Sequence, residues 1–292
     1  MLKGIRDFLE LIKFEHTLFA LPFAYVGMIL AAGGWPTWPQ ALWITVAMAS
    51  ARTVAMAANR LADRVIDARN PRTAGRPLAS GRVSPGTAWT GSFVALATLL
   101  LATWQLGPLP LKLLPGALLF LIGYAFAKRV TWLSHYILGL TDGLAPMGAW
   151  VAVKGSLFTP ADLPAWLLLG AVTFWIGGFD LIYACQDTEF DRSNGLRAIP
   201  ARFGVPTALR LSTISHVFSM GFLIALGIVL SLAWPYVLGL VAIAGLLLTE
   251  HRLVKPDDFS KLNVAFFNVN SAISATLLVS VAAAQAIGAG AG

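Results

Sequence analysis

The sequence predicts an all-α bundle that crosses a membrane about nine times, with a polar site at its cytoplasmic end. Three observations lead there. Of 292 residues, 57% are hydrophobic and only 12% are charged, whereas soluble chains carry roughly 25% charged residues. The apolar residues fall into successive runs near the ~20 residues that cross a hydrocarbon core as a helix. The charges that remain gather between those runs, and they do so unequally on the two sides.

Residues 5–14 set Ile5, Phe8, Leu9 and Ile12 at helical spacing, with Arg6, Asp7, Glu10 and Lys13 elsewhere. This is the pattern of a short amphipathic helix lying in the membrane interface. The first span is expected at 17–33, closed by Trp35 and Trp38 as interfacial aromatics. The second starts near residue 40 and runs on into a charged stretch. Further spans follow at 87–106, 111–127, 135–153, 165–184, 208–232, 236–249 and 263–287.

Charge then orients the bundle. With an odd number of spans, Lys3, Arg6 and Lys13, the loop after Asp63, the pair Lys128 and Arg129, and loops 192–210 and 251–261 share one side. The opposite turns hold only Lys112 and Lys154 as basic residues. Basic loops stay in the cytoplasm, which puts the N-terminus there and the C-terminus on the opposite side. The net charge of +7 reflects this topology, and no nucleic-acid partner is expected. A lone cysteine, Cys185, and four scattered histidines exclude a disulfide framework and a Cys- or His-built metal centre.

The stretch 59–85 holds two aspartates and six arginines in an otherwise oily chain. Asn59, Asp63 and Asp67 are four residues apart, so on a helix they share one face. Pro71 ends that helix, and Arg72, Arg76 and Arg82 follow in a loop. Tyr183, Asp187 and Asp191 repeat the spacing 124 positions later, again before a basic loop (Arg192, Arg197, Arg202). The chain therefore reads as one membrane domain, 1–292, in two pseudo-repeated halves with one Asp-rich motif each.

Ionisable groups at membrane depth are costly and mark cavities or pathways. Asp63, Asp67, Asp187 and Asp191 would repel one another without a cation between them. Magnesium takes oxygen ligands, typically a few carboxylates plus phosphate oxygens. The arginines and Lys128 would supply charge-assisted hydrogen bonds to the remaining phosphate oxygens. The pattern points to a diphosphate site facing the cytoplasm.

These motifs, together with Asn70-Pro-Arg-Thr-x-x-Arg-Pro77 and Tyr124-x-x-x-Lys-Arg-x-Thr131, resemble the paired signatures of the UbiA superfamily of intramembrane prenyltransferases. Within it, the chain is most similar to 4-hydroxybenzoate polyprenyltransferases. Lys13-Phe-Glu-His-Thr17 and Phe19-Ala-Leu-Pro-Phe-Ala-Tyr25 resemble a bacterial subgroup, some of whose members serve menaquinone synthesis. Ala198 departs from the pattern, because many relatives carry serine there.

The resemblance implies transfer of a polyprenyl group from its diphosphate to a small aromatic acid in quinone biosynthesis. The acid would be 4-hydroxybenzoate (ubiquinone) or, alternatively, a dihydroxynaphthoate (menaquinone). Asp63, Asp67, Asp187 and Asp191 would hold Mg2+ with Asn59 assisting, while Arg72, Arg76, Lys128, Arg129 and Arg197 clamp the diphosphate. Tyr124 and Tyr183 would shield the allylic cation through their ring faces. Arg52, two turns before Asn59, falls where relatives bind the acceptor's carboxylate, and an arginine at that depth needs an anion. A phenol's pKa near ~10 calls for a carboxylate base, for which Asp180 is the candidate. Glu15 and His16 are further candidates for contact with the acceptor, while His135 and Cys185 read as structural. An ion-coupled transporter is the competing class, but its buried charges belong near the midplane.

Overall fold

The computed structural model describes residues 2–290; the side chains of residues 2–3, 15–19 (Glu15 and His16 among them), 266 and 289–290 lie outside that description. Among the described residues there is no strand beyond one isolated Lys255–Asp258 bridge. Eight helices are long and apolar enough to cross a membrane. The expected first span is a ninth helix whose described apolar stretch is shorter, Ala20–Ala32.

The chain begins with α1 (Leu2–Leu11) and α2 (Phe14–Ala32), hinged at Lys13, whose backbone is left-handed at φ 52°. Arg82 holds α1 down by donating to Asp7 at 3.0 Å and to both Glu10 oxygens at 2.9 and 2.6 Å. Helix α3 (Trp38–Arg69) is 32 residues long. At 1.5 Å per residue it spans about 48 Å, well beyond a ~30 Å hydrocarbon core. Its last turns therefore project past the bilayer with the first Asp motif on them. It stops at Asn70, ahead of Pro71, as expected.

Four more long helices follow: α4 (Pro85–Leu106), α5 (Pro108–Val130), α6 (Ser134–Lys154) and α7 (Leu163–Ala184). The second Asp motif is not one continuous helix. A 3₁₀ turn at Cys185–Asp187 separates α7 from α8 (Thr188–Ser193). Thr188 Oγ1 donates to the Cys185 carbonyl at 2.7 Å and Gln186 Nε2 to that of Tyr183 at 3.0 Å. Such side-chain bonds compete with helical ones and tighten the turn. Helices α9 (Ile199–Phe203), α10 (Val205–Val229), α11 (Trp234–Leu253) and α12 (Asn270–Gly290) complete the chain. Helix α11 is longer than the expected span 236–249, because it continues past Glu250, which is buried.

Helix α6 is the centre of the bundle. A Cβ on Gly27 of α2 would lie 2.2 Å from the Pro146 carbonyl oxygen, and one on Gly139 would lie 2.2 Å from that of Thr173. Only glycine lets these backbones touch, and close packing of this kind is how helices associate in lipid. Trp150, Leu168, Val26 and Leu226 fill the core between them.

Candidate active site

Helices α3, α5, α6 and α7 enclose a cavity of about 620 Å³. Of the sequence-predicted site residues with described side chains, all line it except Arg197; Glu15 and His16 lie outside the described side chains. Its polar end lies where α3 leaves the bilayer, and its apolar end reaches Leu106, Leu113 and Leu157 on the opposite side. From Pro110 to Lys128, α5 alone lines about 27 Å of it.

At the polar end each acid has its own cation. Asp67 accepts from Arg76 Nη1 through both oxygens, at 2.7 and 2.8 Å, with Arg60 behind it at 3.9 Å. Asp63 accepts from Arg129 at 2.7 Å, and Asn59 donates to its other oxygen at 3.4 Å. Lys128 donates to Asp191 at 3.0 Å. Arg72 forks onto Asp187, with Nε on Oδ1 at 2.8 Å and Nη2 on Oδ2, while Asn70 donates at 3.2 Å. Burial is the largest single influence on Arg72 and disfavours its charge, but the hydrogen bond to Asp187 and the nearby Tyr183, Asp187 and Asp67 together outweigh it and hold the guanidinium above its ordinary pKa.

Among the described residues, no three acidic or histidine side chains converge as a ready-made metal cage. The donor chemistry nevertheless fits a hard cation: four carboxylates and the Asn59 amide line one cavity, so every donor is oxygen. Magnesium binds in this style, through one or two carboxylates plus substrate phosphate, rather than in an all-protein cage.

Deeper in, Arg52 is not alone. Asp142 of α6 pairs with it at 3.4 Å, which answers the need for an anion at that depth. Sequence reading missed Asp142, although a single acid within the expected span 135–153 was a usable signal. Tyr124 donates to the Ala55 carbonyl at 3.3 Å. Arg72 Nη1 donates to Tyr183 Oη at 3.1 Å, and its guanidinium lies 5.3 Å from the centre of that ring. Asp180 Oδ2 lies 2.6 Å from Nδ1 of His135, which reads as structural from the sequence.

Arg197, expected at the diphosphate, faces elsewhere. Its N–H donates to the Lys128 carbonyl at 2.8 Å and its Nη1 to that of Val130 at 2.7 Å. These are carbonyls of the last turn of α5, which lack helical partners. Arg60 and Asn70 are members of the site that sequence reading did not assign. Both are embedded in the first motif, where their neighbours drew the attention.

Comparison with known proteins shows the family and the fold. The family model described as the UbiA prenyltransferase family matches residues 20–272. The 4-hydroxybenzoate octaprenyltransferase of Paraburkholderia phytofirmans is 31% identical over 262 residues, covering 89% of this chain and 88% of the relative. The apo structure of a UbiA homolog from Aeropyrum pernix K1 superposes with a TM-score of 0.83 at 33% identity, covering 91% of this chain and 97% of that one. A UbiA homolog from Archaeoglobus fulgidus bound to GPP and Mg2+ shares the fold, with a TM-score of 0.71 at 18% identity and coverage of 95% and 99%.

Proposed function

Because this chain belongs to the UbiA prenyltransferase family, we propose that it transfers a polyprenyl group from polyprenyl diphosphate to 4-hydroxybenzoate with Mg2+. The observation that carries the reading is the set of four Asp–cation pairs at the polar end of a long apolar cavity. A diphosphate needs both signs of charge, carboxylates for its metal and cations for its oxygens, and a polyprenyl tail needs the apolar length behind them.

In this reading Asp63, Asp67, Asp187 and Asp191 are the metal ligands, assisted by Asn59. Magnesium, when bound, would neutralise charge developing on the departing diphosphate oxygen. Arg72, Arg76, Lys128 and Arg129 release their acids and take the diphosphate oxygens by charge-assisted hydrogen bonds. Tyr124 and Tyr183 offer ring faces to the allylic cation, and the surrounding helices exclude the water that would quench it. Arg52 binds the acceptor's carboxylate in exchange for Asp142, and Asp180 accepts the phenolic proton. The two Asp-bearing stretches are diverged copies within one membrane domain. The asymmetry of basic residues supports a cytoplasmic N-terminus and cytoplasmic site loops, with the C-terminus outside a bacterial inner membrane.

The test is an assay of purified protein in lipid with a long-chain polyprenyl diphosphate and 4-hydroxybenzoate, with and without Mg2+. A Mg2+-dependent prenylated product is expected. Diphosphate release without it, followed by product with a dihydroxynaphthoate, would move the enzyme to the menaquinone branch. No turnover with either acid would overturn the reading.

A further inference from the structure

His135 stands in the first turn of α6, wholly buried. Its two ring nitrogens face different kinds of partner. Nδ1 lies 2.6 Å from Asp180 Oδ2. Nε2 lies 3.2 Å from the backbone nitrogen of Ile199, which donates to it. Ile199 opens α9, so its N–H has no carbonyl within that helix to receive it. A backbone N–H can only donate, so Nε2 must present its lone pair. The neutral ring therefore carries its proton on Nδ1, aimed at Asp180. A second proton would set two N–H groups head to head at Ile199.

Two consequences follow for Asp180. Its Oδ2 is committed to His135, while no hydrogen bond from the described residues reaches Oδ1 of this cavity-lining residue. His135 also cannot take a proton from Asp180, because the position that would have to accept it is occupied. The spacing between the two residues is set by the backbone contact of α6 and α7, where a Cβ on Gly177 would lie 2.8 Å from the Tyr136 ring and 3.6 Å from the His135 carbonyl oxygen. The other charged neighbours facing Asp180 are Lys128 from α5 and Asp142 from α6.

We propose that His135 is a positioning residue, a neutral hydrogen-bond donor locked by the Ile199 amide, which holds Asp180 with Oδ1 turned toward the acceptor's phenol. This rests on the prenyl-transfer reading and on Asp180 as its base. In the step it serves, Oδ1 takes the phenolic proton. The ring carbon beside the oxygen forms its bond to C1 of the prenyl chain, and the C1–O bond breaks with its electron pair leaving on diphosphate. Transfer of the displaced ring proton to the oxygen restores the aromatic phenol, and Asp180 returns its proton to solvent.

Glutamine keeps one donor and one acceptor on a single planar group, whereas alanine keeps neither. His135→Ala, His135→Gln and Asp180→Asn are compared with the unaltered enzyme on 4-hydroxybenzoate and on 3-fluoro-4-hydroxybenzoate, whose phenol ionises more readily. His135→Ala should lower kcat at least tenfold and leave KM for the prenyl diphosphate unchanged. His135→Gln should recover to within about threefold of the unaltered enzyme. Both the His135→Ala and Asp180→Asn losses should shrink on the fluorinated acceptor. A His135→Gln variant that folds, by its melting midpoint in detergent, yet is as slow as His135→Ala would overturn the positioning role. An Asp180→Asn loss that persists on the fluorinated acceptor would overturn the base assignment instead. Independently of turnover, 15N NMR of histidine-labelled protein, assigned with His135→Gln, should show a neutral ring protonated at Nδ1. A ring protonated at Nε2 would sink the proposal even in an active enzyme.

Discussion

Arg72 grips Asp187 with two arms of its guanidinium across 115 residues of sequence, tying the loop after the first Asp motif to the second motif. The two Asp-bearing stretches thus meet through an ion pair rather than through packing alone. Asp187→Ala should abolish turnover and leave the protein folded in detergent. Arg72→Ala should lower kcat by about 10²–10³-fold, the usual loss on removing one donor to developing negative charge. Turnover and circular-dichroism melting of the same samples check both, and full activity in either variant would sink the diphosphate assignment.

The same pairing makes the two ligands interdependent. Magnesium alone would have to strip acids from their arginines, and diphosphate alone would have to strip arginines from their acids. Together they exchange partners without stranding a charge. Mg2+ should therefore bind about 5–150-fold more tightly when a non-hydrolysable prenyl diphosphate analogue is present. Calorimetric titrations with and without the analogue measure this, and equal affinities would count against partner exchange.

Gly116 lines the apolar part of the cavity, and a Cβ added there meets nothing within 4 Å. Gly116→Phe should thus fold normally and shorten the space for the tail. Product analysis with mixed donors should show a shift toward shorter prenyl chains, while KM for the acceptor stays constant.

Gly139 has no such room. Gly139→Ala forces α6 away from the Thr173 carbonyl and should cost about 1–3 kcal/mol, read as a lower melting midpoint. Gly245, whose added Cβ meets nothing within 4 Å, is the control and should change by less than about 0.5 kcal/mol.

The clasp between α1 and the loop after α3 is sensitive to acid. The hydrogen bond from Arg82 holds the Glu10 carboxyl below its ordinary 4.5. A lowered folded-state value means that the stabilisation is present above about that pH and is lost as pH falls through the depressed value. Hydrogen exchange of α1 should stay slow at neutral pH and rise in that acid window. Glu10→Gln should remove most of the pH dependence.

The fold and most of the site could be read from the chain because membrane helices leave so few places for charge. Asp63, Asp67, Asp187, Asp191, Arg52 and Lys128 stand out against apolar neighbours, and all of them line the cavity. What escaped depends on which helices lie side by side. Asp142 meets Arg52, and His135 meets Asp180, only once α6 is set against α3 and α7. The 3₁₀ turn at Cys185–Asp187 escaped because the four-residue spacing of the motif matches an unbroken helix equally well. The place of Arg197 was hidden for a related reason: its basic neighbours suggest phosphate, whereas the nearby end of α5 offers bare carbonyls to which it donates.

Helix α3 carries Arg52 and Asp63 on one unbroken rod, about 16 Å apart along its axis. If Arg52 anchors the acceptor and Asp63 serves the departing diphosphate, as proposed, the gap between them is a fixed gauge, which no loop movement can stretch or shorten. Enlarging the acceptor by a second ring would have to be accommodated across the rod, on the α6 side where Asp142 stands, and not along it. One residue inserted between Ala57 and Ala58 would turn the two ends by about 100° relative to each other, uncoupling two half-sites that would each remain intact.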